Sequence, residues 1–220
     1  VVDKKITVEQ AVSMIHDGDT IMVGGFYAIG TPEGIVDEIL RQGKKNLTII
    51  NNDCGNPNSA LGRLVYSGLV KKVILTWCGY LNELPGMVED GKIELELNPQ
   101  GTLIERIRAG GYGLGGILTP TGLGTYIEEQ GYGTRVNMDG RDYLYHTPLK
   151  ADVTIVQAYA ADEAGNLVFR RTQRNFCDTM CFAGEKVIAS VATPIQQKGA
   201  IDPDAVMVPG AVVDYLVQEG

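Results

Sequence analysis

No run of about 18 apolar residues occurs in this chain, so nothing in it reads as a membrane span. The opening Val1-Val2-Asp3-Lys4-Lys5 leads into an amphipathic pattern and lacks the apolar centre of a signal peptide. Histidine is scarce: His16 and His146 are the only two, neither has an evident serine or cysteine partner, and both read as structural or surface residues. The four cysteines, Cys54, Cys78, Cys177 and Cys181, form no CxxC pair. Cys177 and Cys181 share a face if their segment is helical, but two ligands make no zinc site, and the set reads as reduced thiols of a cytoplasmic protein. Basic residues are outnumbered 19 to 27 and scattered, which excludes a nucleic-acid footprint. No Walker-type phosphate loop is present. Gly111-Tyr112-Gly113-Leu114-Gly115-Gly116 matches the dinucleotide fingerprint by letter only, because it follows a helix pattern and opens none.

What remains is an ordinary globular composition, 44% hydrophobic and 21% charged over 220 residues, enough for a substantial core without metal or disulfide staples. The whole of 1–220 reads as a single domain with an elaborated second half. Thr7-Val8-Glu9-Gln10 is a capping box opening a helix through His16. Thr20 to Val23 is a buried strand. After a glycine loop, Thr31-Pro32-Glu33 supplies an N-cap, a first-turn proline and an acid. The apolar face Ile35, Val36, Ile39, Leu40 follows, and Gly43 stops the helix. Strands are expected over Leu47 to Ile50, Val73 to Trp77 and Ile93 to Leu97, with helices carrying Leu61, Leu64 and Val65 and then Leu103, Ile104 and Ile107. This alternation predicts an α/β fold, a mostly parallel sheet covered by helices. From Gly110 the character changes to a glycine-rich and β-hairpin region, with Asp139-Gly140 at the hairpin turn. Val153 to Ala158 and Lys186 to Val191 return to core strands, Asp162 to Asn166 is a turn, and Val206 to Val208 suggests a last strand.

The segment Asp17 to Pro32 is the most informative. A strand, a glycine loop and a helix start suit close approach of an anionic ligand, and suit equally a plain tight turn. Its full string, an Asp-Gly pair, aliphatics, Gly-Gly-Phe and Gly-Thr-Pro, resembles the first signature of the class I CoA-transferases. Asn98-Pro99-Gln100-Gly101-Thr102-Leu103-Ile104-Glu105-Arg106-Ile107-Arg108, Gly113-Leu114-Gly115-Gly116-Ile117-Leu118-Thr119-Pro120-Thr121-Gly122 and Arg174-Asn175-Phe176 are similar to the α subunit of the acetate/butyrate–acetoacetate type, and the likeness runs through almost the whole chain.

The resemblance implies a CoA-transferase-like fold and a defined chemistry. A glutamate attacks the acyl-CoA thioester, and an enzyme-bound glutamyl-CoA then passes CoA to an incoming acid. In the family that glutamate lies in a Ser-Glu-Asn-Gly motif. This chain has no Ser-Glu pair, so the resemblance implies a partner β subunit that carries the catalytic glutamate, in a cytoplasmic heterotetramer or larger assembly. No permanently bound cofactor or metal is implied, and coenzyme A thioesters and short-chain carboxylic acids are the expected ligands. By resemblance, Gln100 donates its side-chain amide to an oxyanion; on spacing alone it is also a plausible helix cap. Asn51 and Asn52, after a strand, resemble active-site-lining residues and are equally ordinary turn asparagines. Gly24, Gly25, Phe26, Tyr27, Ala28, Ile29 and Gly30 resemble the CoA-contact segment. Thr119-Pro120-Thr121-Gly122 borders the same cleft or forms a rigid turn.

Tyr27 stands where many relatives have glycine, and Cys54-Gly55-Asn56-Pro57 and Trp77-Cys78-Gly79-Tyr80 are individual to this sequence. These departures leave the acid open. Acetate, butyrate or acetoacetate is the first reading. A succinyl-CoA:3-oxoacid or other dicarboxylate transferase is the alternative, which requires a basic residue such as Arg63, Arg106 or Arg174 at the pocket. A non-catalytic α/β ligand-binding domain is the reading from another class.

Overall fold

The computed structural model describes residues 3–219, so Val1 and Val2 of the N-terminal reading lie outside the described residues. The first half alternates strictly. β1 (Lys5–Ile6), α1 (Val8–Ser13), β2 (Thr20–Val23), α2 (Glu33–Gln42), β3 (Leu47–Ile50), α3 (Ala60–Tyr66), β4 (Val70–Leu75), α4 (Leu84–Glu89), β5 (Glu94–Leu97) and α5 (Gln100–Gly111) succeed one another. Then come β6 (Ile117–Thr119), α6 (Tyr126–Glu129), β7 (Thr134–Met138), β8 (Arg141–His146), β9 (Ala151–Ala158), β10 (Ala160–Ala161), β11 (Leu167–Val168), α7 (Cys177–Met180), β12 (Gly184–Val191) and β13 (Tyr215–Gln218).

Eight strands form one sheet in the order β1-β13-β12-β9-β2-β3-β4-β5, and every pairing in it is parallel. Both faces are covered, and the strand period shows it. Ile21, Val23, Ile49, Val73 and Leu75 face one cluster with Val12, Ile35, Ile39, Leu61 and Leu64 from the helices. The alternating Met22, Ile50 and Ile74 face the other with Leu103, Ile107, Phe176 and Met180. Each such fully buried side chain contributes about 1.5–3 kcal/mol by leaving water. A third cluster fills the β9, β12 and β13 side. The added region is a three-stranded antiparallel sheet, β6-β8-β7, whose β7–β8 turn has Asp139 and Gly140 both at positive φ, as a type I′ turn requires.

Several boundaries differ from the sequence reading. The Thr7 capping box is present, but α1 ends at Ser13, because the next amides bond three residues back and His16 falls in a turn bonded to Asp19. Thr31 does not cap α2. Pro32 occupies the N-cap, and the Thr31 hydroxyl donates instead to the Gly24 carbonyl at 3.2 Å, closing the glycine loop. β4 begins at Val70, and Thr76 and Trp77 lie beyond its end. Val206 to Val208 is no strand; Val208 makes an isolated bridge to Leu167, and the last strand is β13. His146 is buried, donates through Nδ1–H to the Tyr132 carbonyl at 2.9 Å, and is held below its ordinary pKa by burial.

The sheet's β5 end is tied by Arg106 of α5. Its Nη1 reaches Glu96 at 2.6 Å and Asn98 at 2.7 Å, and its Nε reaches the Thr147 carbonyl at 2.9 Å. Burial alone would push the Glu96 carboxyl up, but Arg106 and Lys72 together hold it below the usual carboxylate value. Arg106→Ala leaves that largely buried carboxylate with the partly exposed Lys72 as its remaining cation and orphans the Asn98 oxygen and the Thr147 carbonyl. It is expected to lower unfolding stability by about 3–5 kcal/mol in urea titration, while a Glu96→Gln change on the Arg106→Ala background recovers part of the loss.

Candidate active site

The sheet runs outward in opposite senses from β2 and β9, so its topological switch point lies between them, and ligands of open parallel sheets bind at the strands' carboxyl ends there. The Gly24–Gly30 loop leaves β2 at that point and is joined to β9 by Gly24 N–H to the Ile155 carbonyl and Gln157 N–H to the Gly30 carbonyl. Its glycines serve packing within the protein. A Cβ on Gly24 would lie 2.6 Å from Cys177 Sγ, and one on Gly25 would lie 2.3 Å from Thr31 Oγ1. The loop's tip is a two-residue turn, with Phe26 and Ile29 exchanging both backbone hydrogen bonds at 3.0 and 2.9 Å. The central residues are Tyr27 (φ 49°) and Ala28 (φ 67°), where asparagine and glycine would be comfortable.

Asp53 compensates for that strain. Its carboxylate, 4% exposed, accepts from the Tyr27 N–H at 3.1 Å, the Gly55 N–H at 2.7 Å and the Asn52 amide at 2.8 Å. Asn51 clamps the loop's root. Its amide donates to the Val23 carbonyl at 2.6 Å and the Gly25 carbonyl at 3.4 Å, and its oxygen accepts from the Asp53 and Cys54 N–H groups. Both ends of Asn51 are thus engaged with backbone. Asn52 differs: its Oδ1 accepts from Gln100 Nε2 at 2.9 Å and the Thr76 hydroxyl at 3.1 Å. Gln100 is the first residue of α5 and caps nothing. Asn52 orients its amide, and the second Nε2 hydrogen has no partner among the described residues.

Two cavities meet at Gln100. One, of about 440 Å³, is lined by Phe26, Tyr27, Asn52, Trp77, Tyr80 and Gln100. The other, of about 400 Å³, is lined by Gln100, Arg108, Arg174, Asn175 and Asp178. Neither is lined by a glutamate. Arg174 pairs with Asp178 at 2.7 Å, whereas Arg106 is locked in the interior and Arg63 pairs with Asp37 on the surface. Thr119 and Thr121 line a separate cavity beside Thr102. Another cavity, about 580 Å³, lies on the far side of the glycine loop with Glu33 and Glu219 in its lining, and Glu219 is engaged by Gln157 and Ser190. Cys54 sits behind the site, but burial and the adjacent Asp53 push its thiol well above the ordinary value, and burial pushes Cys177 up to about 12; neither supplies a thiolate. Among the described residues no three histidine, cysteine or acidic side chains converge as a metal site, and no helix is long and apolar enough to cross a membrane.

Residues 5–219 match the model of the coenzyme A transferase family, and the chain belongs to that family. It is 44% identical over 216 residues to the A subunit of the 3-oxoadipate CoA-transferase of Acinetobacter baylyi, covering 96% of this chain and 92% of that one. It is 40% identical over 216 residues to the acetoacetyl-CoA:acetate/butyrate CoA transferase alpha subunit of Clostridium acetobutylicum, covering 98% of both. The fold matches an acyl-CoA transferase from Escherichia coli O157:H7, solved as a thioester complex with CoA, with a TM-score of 0.87. That match has 23% identity, covers 99% of this chain, and spans about half (47%) of the longer protein.

Trp77, Tyr80, Asp53 and Arg108 were not among the site residues expected from sequence, and Arg174 entered only as a candidate for the dicarboxylate alternative. Only Asp53, two residues before a positive-φ Gly55, carried a local signal, that of an Asx turn. Asp53→Ala is expected to cost about 1–3 kcal/mol by orphaning buried donors. Ala28→Gly, which costs about 0.5–1 kcal/mol in an ordinary helix or strand, should be neutral or stabilising here. Thermal unfolding of both variants checks the pair.

Proposed function

We propose that this chain is the α subunit of a heteromeric short-chain acyl-CoA transferase, exchanging CoA among acids such as acetate, butyrate and acetoacetate. The carrying observation is the Gln100 amide, oriented by Asn52 at the carboxyl edge of the sheet, with no glutamate lining either cavity that meets it. The nucleophile then belongs to a β subunit. Its glutamate carboxylate adds to the acyl-CoA carbonyl and expels CoA thiolate, leaving a mixed anhydride. The thiolate attacks the glutamyl carbonyl, releases the first acid as its carboxylate, and leaves a glutamyl-CoA thioester. The incoming carboxylate reverses both steps.

Each addition places negative charge on a carbonyl oxygen, and a neutral preorganised donor such as Gln100 Nε2 stabilises it without reorganisation. Asn52 lines the site and holds that donor; Asn51 contributes by fixing the loop. The Gly24–Gly30 backbone, with Phe26 to Ile29 at its tip, faces the CoA thioester. CoA is a substrate in this scheme, which invokes no resident cofactor, and the assembly works in the cytoplasm. A dicarboxylate reading has its own support in the 3-oxoadipate relative and in Arg174 beside Gln100.

CoA exchange from butyryl-CoA to acetate, measured for this chain alone and with its partner, tests the division of labour. Activity is expected in the complex only, and activity in the chain alone would sink the reading. Gln100→Ala in the complex should lower kcat by about 10²-fold or more with assembly intact. An unchanged kcat removes Gln100 from the mechanism.

A further inference from the structure

Four aromatic side chains stand in water around the 440 Å³ cavity. Phe26 and Tyr27 are each 42% exposed, and Trp77 and Tyr80 are each 47% exposed. Three of them are packed on one another. Tyr80 meets the Trp77 ring at 4.5 Å and 84°, and meets the Tyr27 ring at 4.7 Å and 60°, both edge-to-face. Two backbone devices keep them there. Tyr27 is held at φ 49° by the Asp53 carboxylate, and the Trp77 indole lies so close over Gly79 that a Cβ there would sit 2.2 Å from the ring. Strain and exposed apolar area are both unfavourable, and both are concentrated at this wall.

The cavity's charge is equally particular. No lysine, arginine or histidine lines it, and its one ionisable acid, Asp53, is already engaged with backbone N–H groups. Across Gln100, Arg108 and Arg174 line the neighbouring cavity, paired with Glu105 and Asp178. A phosphate or a second carboxylate entering the aromatic side would lose its water and gain no counter-charge.

The geometry points to the Tyr27–Trp77–Tyr80 wall as the acyl subsite, specific for monocarboxylic acids with an uncharged, apolar tail, while the anionic CoA moiety lies on the Arg108 and Arg174 side of Gln100. This deepens the transferase reading and rests on it. The reacting carbonyl sits at the Gln100 amide, the tail packs on the aromatic edges, and dicarboxylates are disfavoured by the missing cation.

The test uses the assembled two-subunit enzyme with acetyl-CoA as donor and butyrate, isovalerate, phenylacetate, succinate and 3-oxoadipate as acceptors. The monoacids should exceed the diacids in kcat/KM by about tenfold or more. Trp77→Ala and Tyr80→Leu should each lower kcat/KM for isovalerate and phenylacetate by about tenfold, the effect of one lost aromatic contact, and lower it far less for acetate. Tyr27→Phe, which keeps the ring, should retain the preference. Trp77 is the chain's single tryptophan, so its emission gives a binding signal without turnover; isovalerate should shift it, and the shift should be missing in Trp77→Phe. Diacids handled as well as monoacids would overturn the assignment. An equal loss for every acid would also overturn it, by making the wall a site for CoA. Failure of both wall variants to assemble would overturn it as well, by making the wall a contact between the two chains. A wild-type complex that transfers CoA to no acid at all removes the transferase reading itself and takes the subsite with it.

Discussion

The Asn51 side chain joins the carboxyl ends of β2 and β3. Its amide reaches the Val23 and Gly25 carbonyls, and its oxygen takes the Asp53 and Cys54 N–H groups. Everything at the switch point depends on that clamp. It turns the β2 chain into the glycine loop, sets Asp53 where it can hold Tyr27, and leaves Asn52 as the next residue, free to orient Gln100. A buried amide with all of its near neighbours paired is rigid and specific, whereas the same group half-satisfied would be a liability in so dry a place.

Charge is sorted around this point on a scale the net charge of −8 does not convey. On one side of Gln100 are arginines, on the other aromatic edges. The buried arginine, Arg106, belongs to neither side; with Glu96, Asn98 and Lys72 it braces the strand and helix that deliver Gln100. Both rim arginines are themselves ion-paired, Arg108 with Glu105 and Arg174 with Asp178, and screening confines each field to about 8 Å at physiological salt.

The parallel core was legible in the sequence because its physics is local. Leu47–Ile50 and the Ile35, Val36, Ile39 face declare their periods, and Gly43 and Asp139-Gly140 mark a stop and a turn that need positive φ. β13 was not legible: Tyr215–Gln218 has no strong period, and it is a strand because β12 and β1 offer it edges from far away in the chain. α4 begins without a side-chain cap, and its one start signal is Pro85 in the first turn. Within the candidate site, Gln100 and Asn52 were singled out through the family resemblance, and their mutual hydrogen bond was not foreseeable, because 48 residues separate them. Trp77 and Tyr80 read as mere departures from pattern until the fold brought Tyr27 against them.

The pairing of β1 with β13 has a kinetic side. Lys5 and Ile6 find their partners at Leu216 and Val217, so one edge of the sheet waits for β13 to emerge from the ribosome. Until then the outer rim of β12 is an unpaired row of amides and carbonyls, open to a neighbour's strand. High contact order of this kind makes folding slow, and a nascent chain of this topology spends its most aggregation-prone interval with β1 and β13 still apart.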